Sequence, residues 1–143
     1  MSLTALLVAG LMIAGTPAAA SPPTDSTALH PLSADEIRAA LAGRLVAYSP
    51  PGSADAGVHE AFHTGGRWAG IRYGRGPSPF SGQWEIRGDH LCVHAEHGLQ
   101  GARWGPRWFC RVVWRDARSG RILIDHVASE FGPLVLSIRP LAE

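Results

Sequence analysis

The chain lacks lysine altogether, so that all thirteen of its basic residues are arginine. The arginines nearly balance twelve acidic residues, and the formal net charge at pH 7 is +1. Such a small charge supplies no electrostatic attraction toward nucleic acid or an anionic membrane surface, and we expect neither as a partner. The use of arginine in place of lysine is explained by a GC-rich coding bias and points to no function.

Long apolar runs are also missing. The stretch from Leu3 to Ile13 is shorter than the roughly 18 apolar residues that a membrane-spanning helix needs. Small residues follow it, with Ala18 and Ala20 in the A-x-A positions that signal peptidase recognises. We therefore expect residues 1–20 to be a cleaved signal peptide, the alternative being a retained anchoring segment. The mature protein would then be periplasmic or secreted, without a stable membrane span.

Cysteine is scarce, and the two that occur, Cys92 and Cys110, both follow the signal segment. An even pair in an oxidising compartment usually closes as a disulfide. Reactive thiols instead tend to lie in C-x-x-C motifs or at helix N-termini, which lower their pKa. Cys92 and Cys110 lie within predicted strands, so the sequence predicts a structural disulfide between them.

The remaining chain divides into a tether and one domain. Residues 21–31 are rich in Pro, Ser and Thr, show no apolar period and read as a flexible tether. Residues 32–143 are expected to form a single β-domain. Its one helix is predicted over residues 34–42, because Ser33 and Glu36 match a capping box and Gly43 suits the position after a helix end.

Beyond Gly43 the apolar residues recur with a period of two, which is typical of strands. Eight short strands are predicted over residues 44–48, 58–63, 67–73, 81–87, 90–95, 107–114, 121–127 and 134–139. Their even spacing and short turns predict a mainly β fold, an antiparallel meander closed as a small lipocalin-like barrel or folded as a sandwich. The barrel is favoured because closure removes exposed sheet edges.

The segment His59–His63 matches the zinc-protease pattern H-E-x-x-H. That chemistry needs a helix, on which residues four apart converge on one metal ion. Prolines and glycines from Pro50 to Gly57, and again at Gly65–Gly66, deny this helix. On a strand the two histidines would lie about 13 Å apart. We therefore predict that His59 and His63 are not metal ligands.

A second histidine group consists of His90, His94 and His97. Three imidazoles are able to bind a metal ion, but polar positions on an amphipathic strand explain them equally well. We therefore assign no metal site, no cofactor and no catalytic residue to the chain.

Four of the five tryptophans are adjacent to an arginine, as in Arg67-Trp68 and Trp114-Arg115. Adjacent residues of a strand face opposite ways, so we expect tryptophan inside and arginine outside. On residues 107–114 this places Trp108 inside and Arg111 outside. Four tryptophans remain candidate ligand contacts: Trp68, Trp84, Trp114 and Trp104, the last in a glycine-rich loop.

Two G-x-W tripeptides, Gly66–Trp68 and Gly82–Trp84, have the form found in lipocalin-like barrels. The order of motifs also resembles a group of small uncharacterised exported proteins of alphaproteobacteria: a helix opener at residues 32–44, a G-x-W strand with a G-D turn at residues 81–92, and the W-F-C at residues 108–110. The resemblance covers most of residues 32–127 and implies a β-barrel with a cysteine pair. The region of His59 departs from the pattern, and no activity is carried over.

These observations favour an exported, non-enzymatic binding or interaction module, whose partner would be a small apolar ligand or another protein. Two alternatives remain open. The first is a structural or envelope-stress protein without a small ligand, and the second is a metal-dependent hydrolase that uses the H-E-x-x-H segment. A cavity lined by Trp68, Trp84 and Trp114 would favour binding, and a filled core would favour the structural role.

Overall fold

The computed structural model describes residues 28–52, 57–99, 107–125 and 132–142. In this part of the chain, antiparallel strands and one short helix confirm the mainly β prediction. The elements are β1 (Leu29–Pro31), α1 (Ala34–Leu41), β2 (Arg44–Tyr48), β3 (Val58–Phe62), β4 (Arg67–Arg72), β5 (Ser78–Arg87), β6 (His90–His97), β7 (Phe109–Arg111), β8 (Val113–Asp116), β9 (Ile122–Asp125), β10 (Pro133–Val135) and β11 (Ser137–Pro140).

Helix α1 begins at the predicted capping box. The Ser33 backbone N–H donates to the Glu36 carboxylate at 3.0 Å, and the Ser33 hydroxyl accepts from the Glu36 backbone N–H. The backbone hydrogen bond with Ser33 is the main reason that the pKa of Glu36 lies below its usual value. Gly43 follows the helix with φ +70°, a conformation that glycine adopts without steric cost. Ile37 and Leu41 are fully buried, so the helix packs one apolar face into the core.

The strands form two antiparallel sheets. The larger has the order β11-β2-β3-β4-β5-β6-β7, in which β2 to β7 follow one another as a meander, and the smaller has the order β1-β8-β9-β10. Strand β1 corrects the expected tether: Leu29–Pro31 pairs with β8, while residues 21–27 lie outside the described residues.

At two junctions within the described ranges, a strand of one sheet leads almost directly into a strand of the other. Only Val112 separates β7 from β8, and only Leu136 separates β10 from β11. Backbone hydrogen bonds continue across both junctions, from Asp125 N to Val112 O at 3.2 Å and from Leu136 N to Ile122 O at 2.8 Å. The sheets therefore share one apolar core, to which both contribute fully buried side chains, among them Phe62, Trp68, Val93, Val113 and Ile124.

The predicted disulfide is present. Cys92 on β6 and Cys110 on β7 are direct cross-strand partners, and a disulfide joins them across a sequence separation of 18 residues. Cys92 also pairs with the exposed Glu85 on β5, so the bridge lies on the outer face of the sheet. A disulfide is compatible with an oxidising, exported location.

We expect the double change Cys92→Ser and Cys110→Ser to lower the free energy of unfolding by about 3 kcal/mol, since it removes the constraint on the unfolded chain. Urea unfolding followed by circular dichroism measures the loss. The wild type in reductant serves as the control and should unfold at the same urea concentration as the variant. An unfolding midpoint that neither reduction nor substitution changes would contradict a stabilising bridge.

Candidate functional site

Among the residues that the structure describes, two charged side chains are buried. Glu60, on β3, is 0% exposed and Arg111, on β7, is 2% exposed. Arg111 donates from Nη2 to Glu60 Oε1 at 2.9 Å and from Nη1 to Glu60 Oε2 at 3.3 Å. The same Nη1 donates to the Tyr48 hydroxyl at 3.1 Å. This two-pronged pairing of a guanidinium with a carboxylate is the strong form of an ion pair.

The pair constrains the shape of the larger sheet. Strands β3 and β7 are separated by β4, β5 and β6. Four strand spacings of about 4.8 Å would hold them roughly 19 Å apart in a flat sheet. Direct contact between Glu60 and Arg111 therefore requires the sheet to curl until the inner faces of β3 and β7 oppose each other.

Burial opposes the charge of Arg111, yet the facing carboxylate of Glu60 holds the pKa of the guanidinium above its ordinary value. Burial also raises the pKa of the Tyr48 phenol, and the charge of Glu60 adds to that effect. Tyr48 therefore remains neutral. The buried polar cluster thus consists of the Glu60–Arg111 ion pair and one uncharged hydroxyl group.

Arg111 corrects the predicted facing of residues 107–114. We expected Trp108 inside and Arg111 outside, whereas Arg111 points into the core and Phe109 and Val113 share its face. The prediction from alternation was wrong because it assigned the charged residue to the outer face. In the structure Arg111 is buried, since Glu60 neutralises its charge. Trp108, one step before Phe109, consequently lies on the outer face.

The indole of Trp108 packs among polar side chains on that outer face. The Arg87 guanidinium lies 4.3 Å from the centre of the indole, a cation–π distance, and the His94 ring centre is 5.4 Å away. Arg87 also pairs with Glu85, two residues earlier on β5. Trp108 is half-buried, because these neighbours cover part of its surface.

Beside this indole lies a groove of about 480 Å³, which we call the Trp108 groove. Its polar side chains come from neighbouring strands, and Gln83 Nε2 donates to Glu96 Oε1 across β5 and β6 at 2.7 Å. The full lining is Gly65, Gly66, Arg67, Gly82, Gln83, Trp84, Glu85, Glu96 and Trp108. No sequence signal brings Arg67, Glu96 and Trp108 to the same place.

The candidate tryptophans do not share one cavity. Trp68 is fully buried against Phe80, with ring centres 4.6 Å apart. Trp84 is 7% exposed, packs on Phe62 and donates from Nε1 to the His63 carbonyl oxygen at 2.8 Å. Trp84 also lines the Trp108 groove. Trp104 lies outside the described residues.

Trp114 lines a different cavity. Its Nε1 donates to Asp125 at 2.8 Å, and its side chain borders a space of about 480 Å³ between β8 and the segment that leads into α1. The other residues around this space are Pro31, Leu32, Ser33, Glu36, Asp89, His90 and Val112. Trp114 is half-buried like Trp108, but it lies on a strand of the smaller sheet.

The H-E-x-x-H segment lies on β3, as a strand and not as a helix. Glu60 points into the core, while His59 and His63 are half-exposed. The His59 ring packs edge-on against Tyr73 at 5.2 Å, and His63 contacts the Arg67 guanidinium at 2.9 Å. The glutamate and the histidines therefore do not converge on one point.

The second histidine group is also dispersed. His90 lies at the start of β6, His94 beside Trp108, and His97 at the end of the strand. Across residues 28–52, 57–99, 107–125 and 132–142, no three His, Cys, Asp or Glu side chains come close enough to bind a metal ion together.

Comparison of the chain with protein-family models, with curated protein sequences and with solved structures finds no match in any of the three. The helix within the described ranges does not meet the length and hydrophobicity that crossing a membrane requires.

Removing one member of the buried pair, by Glu60→Leu or by Arg111→Met, should cost about 3–5 kcal/mol of unfolding free energy, because an uncompensated charge stays buried. The double variant should be much closer to the wild type, since it buries no charge. Chemical denaturation of the four proteins gives the coupling. The exposed Glu85→Gln is the matched control and should cost at most about 1 kcal/mol. Additive losses in the double variant would argue against the pair.

The double change His59→Ala and His63→Ala should leave the metal content of the purified protein unaltered, because neither ring converges with another ligand. Its stability cost should stay within about 1 kcal/mol, the usual range for partly exposed strand positions. Elemental analysis by mass spectrometry measures the metal. Stoichiometric zinc that disappears in this variant would show that the interpretation is wrong.

Proposed function

We propose that this protein is an exported β-domain that acts by binding a small molecule in the Trp108 groove and catalyses no reaction. The observation that carries the proposal is the groove itself, about 480 Å³ in volume. That volume falls within the range of roughly 300–1,000 Å³ typical of small-molecule sites. Polar side chains of β4, β5 and β6 line the groove together with Trp84 and Trp108, so that hydrogen-bonding groups lie beside aromatic surface.

The packing of the interior supports an outer-face site. Tyr48, Glu60 and Arg111 are at most 5% exposed and satisfy one another through hydrogen bonds. Trp68 fills a further part of the core. The buried charges are therefore engaged with each other and are not presented to a substrate. This proposal differs from the expectation of a small apolar ligand or another protein as the partner.

The lipocalin-like barrel and the exported location belong to the same proposal. Continuous strands through Val112 and Leu136, and the curl demanded by the Glu60–Arg111 pair, support two sheets that form halves of one barrel. The disulfide and the expected signal peptide support export to the periplasm or beyond.

One observation favours the second candidate, a structural protein without a small ligand. The core is filled by large side chains, including Trp68 and Phe62, both fully buried. A filled core needs no ligand for its stability. The two candidates differ in whether the Trp108 groove binds anything.

A fragment screen by NMR on the uniformly ¹⁵N-labelled mature protein tests the proposal. We expect fragments to shift the backbone amides of Arg67, Gln83, Glu85 and Glu96 together, and these shifts should disappear in Trp108→Ala. Trp114→Phe is the matched control, because Trp114 is a half-buried tryptophan of the other sheet. Fragments that bind only beside Trp114 would show that the Trp108 groove is not the site, and no fragment binding at all would favour the structural candidate.

A further inference from the structure

We infer that the Trp108 groove binds a neutral saccharide of a few sugar units. The inference rests on the proposed function, since it names the ligand class of the same site. It depends on three properties of the lining: its charge balance, its hydrogen-bonding groups and its shape beside the indole.

The charges around the groove cancel. Glu85 and Glu96 line it together with Arg67, and Arg87 stands at the Trp108 indole while it pairs with Glu85. Two carboxylates and two guanidiniums thus lie in or beside the groove, with Arg87 paired to Glu85 and Arg67 in contact with His63. A cationic ligand would meet Arg67 and Arg87, and an anionic ligand would meet the two glutamates. Like-charge encounters of this kind disfavour both, so the lining selects an uncharged ligand.

The same side chains offer donors and acceptors in close alternation. Gln83 supplies an amide, Glu85 and Glu96 supply carboxylate oxygens, and Arg67 supplies guanidinium N–H groups. The bond from Gln83 to Glu96 fixes two of these groups in advance and leaves other lone pairs of the carboxylate available. A hydroxyl group both donates and accepts, so a molecule rich in hydroxyls matches this mixed lining.

The lining of the groove combines aromatic surface with polar side chains, which matches a ligand ring that has one apolar face. A pyranose presents C–H groups on its face and hydroxyls around its rim, which corresponds to the Trp108 indole beside polar side chains. Arg87 lies over this indole and the His94 ring centre is 5.4 Å away, so a sugar would pack against the part of Trp108 that lines the groove. Gly65, Gly66 and Gly82 line the groove without side chains and let a ring approach the backbone.

At Gly82 the backbone of β5 lies very close to the backbone of the neighbouring strand β6. A methyl group at this position would collide with the carbonyl oxygen of His94 on the neighbouring strand. The close approach of β5 and β6 therefore requires glycine at this position, where the backbone itself lines the groove.

Isothermal titration of the mature protein with four probes tests the inference: chitotriose and maltotriose as neutral saccharides, and trilysine and triglutamate as charged molecules of comparable size. We expect at least one saccharide to bind with an affinity that is equal at low and high salt, because no charge is screened. Trp108→Ala should weaken it by at least about tenfold, equivalent to about 1.4 kcal/mol. The matched control Trp114→Phe should change it by less than about twofold.

Unfolding curves of both variants establish that each is folded before titration. Binding of trilysine or triglutamate alone, lost in Trp108→Ala, would overturn the saccharide inference and leave the groove as a binding site. Saccharide binding that Trp108→Ala does not weaken would also overturn it, because the sugar would then bind elsewhere. If neither saccharide binds while fragments still shift the groove amides, the ligand class is wrong; if both experiments fail, the proposed function itself is wrong.

Discussion

The buried pair between Glu60 and Arg111 is the constraint on which the rest of the structure depends. A buried charge is tolerated only beside an opposite charge with good hydrogen-bond geometry. The two residues lie on β3 and β7, which three other strands separate. Every strand between them must therefore follow a strongly curved surface, and the apolar side chains of that surface are brought into one core.

The pair also decides what lies on the outer surface. Because side chains alternate along a strand, an inward Arg111 forces Cys110 outward and leaves Trp108 on the same outer face. The disulfide to Cys92 then holds β7 against β6 near this tryptophan. An interaction inside the core thus places the one indole around which the proposed binding site is built.

Glu60 and Arg111 neutralise each other inside the protein at 0–2% exposure. On the surface, four of the exposed charged side chains lie around Trp108: Arg67, Glu85, Arg87 and Glu96. Ion pairs exposed to solvent contribute little to stability. The exposed pair of Glu85 and Arg87 therefore contributes little to folding. In the proposed function, the polar side chains of the groove contact the ligand.

What the sequence determined by itself was local. The capping box of Ser33 and Glu36, the strands of alternating residues and the pairing of Cys92 with Cys110 all follow from short-range patterns. The absence of a helix at His59–His63 was also predictable from the local sequence, because prolines and glycines lie on both sides of the segment. Tertiary structure alone decided that Glu60 meets Arg111, because the two are 51 positions apart and each reads as a surface residue. It likewise decided that Arg67, Glu96 and Trp108 share a groove, since only the curl and register of the sheet bring distant strands to one place.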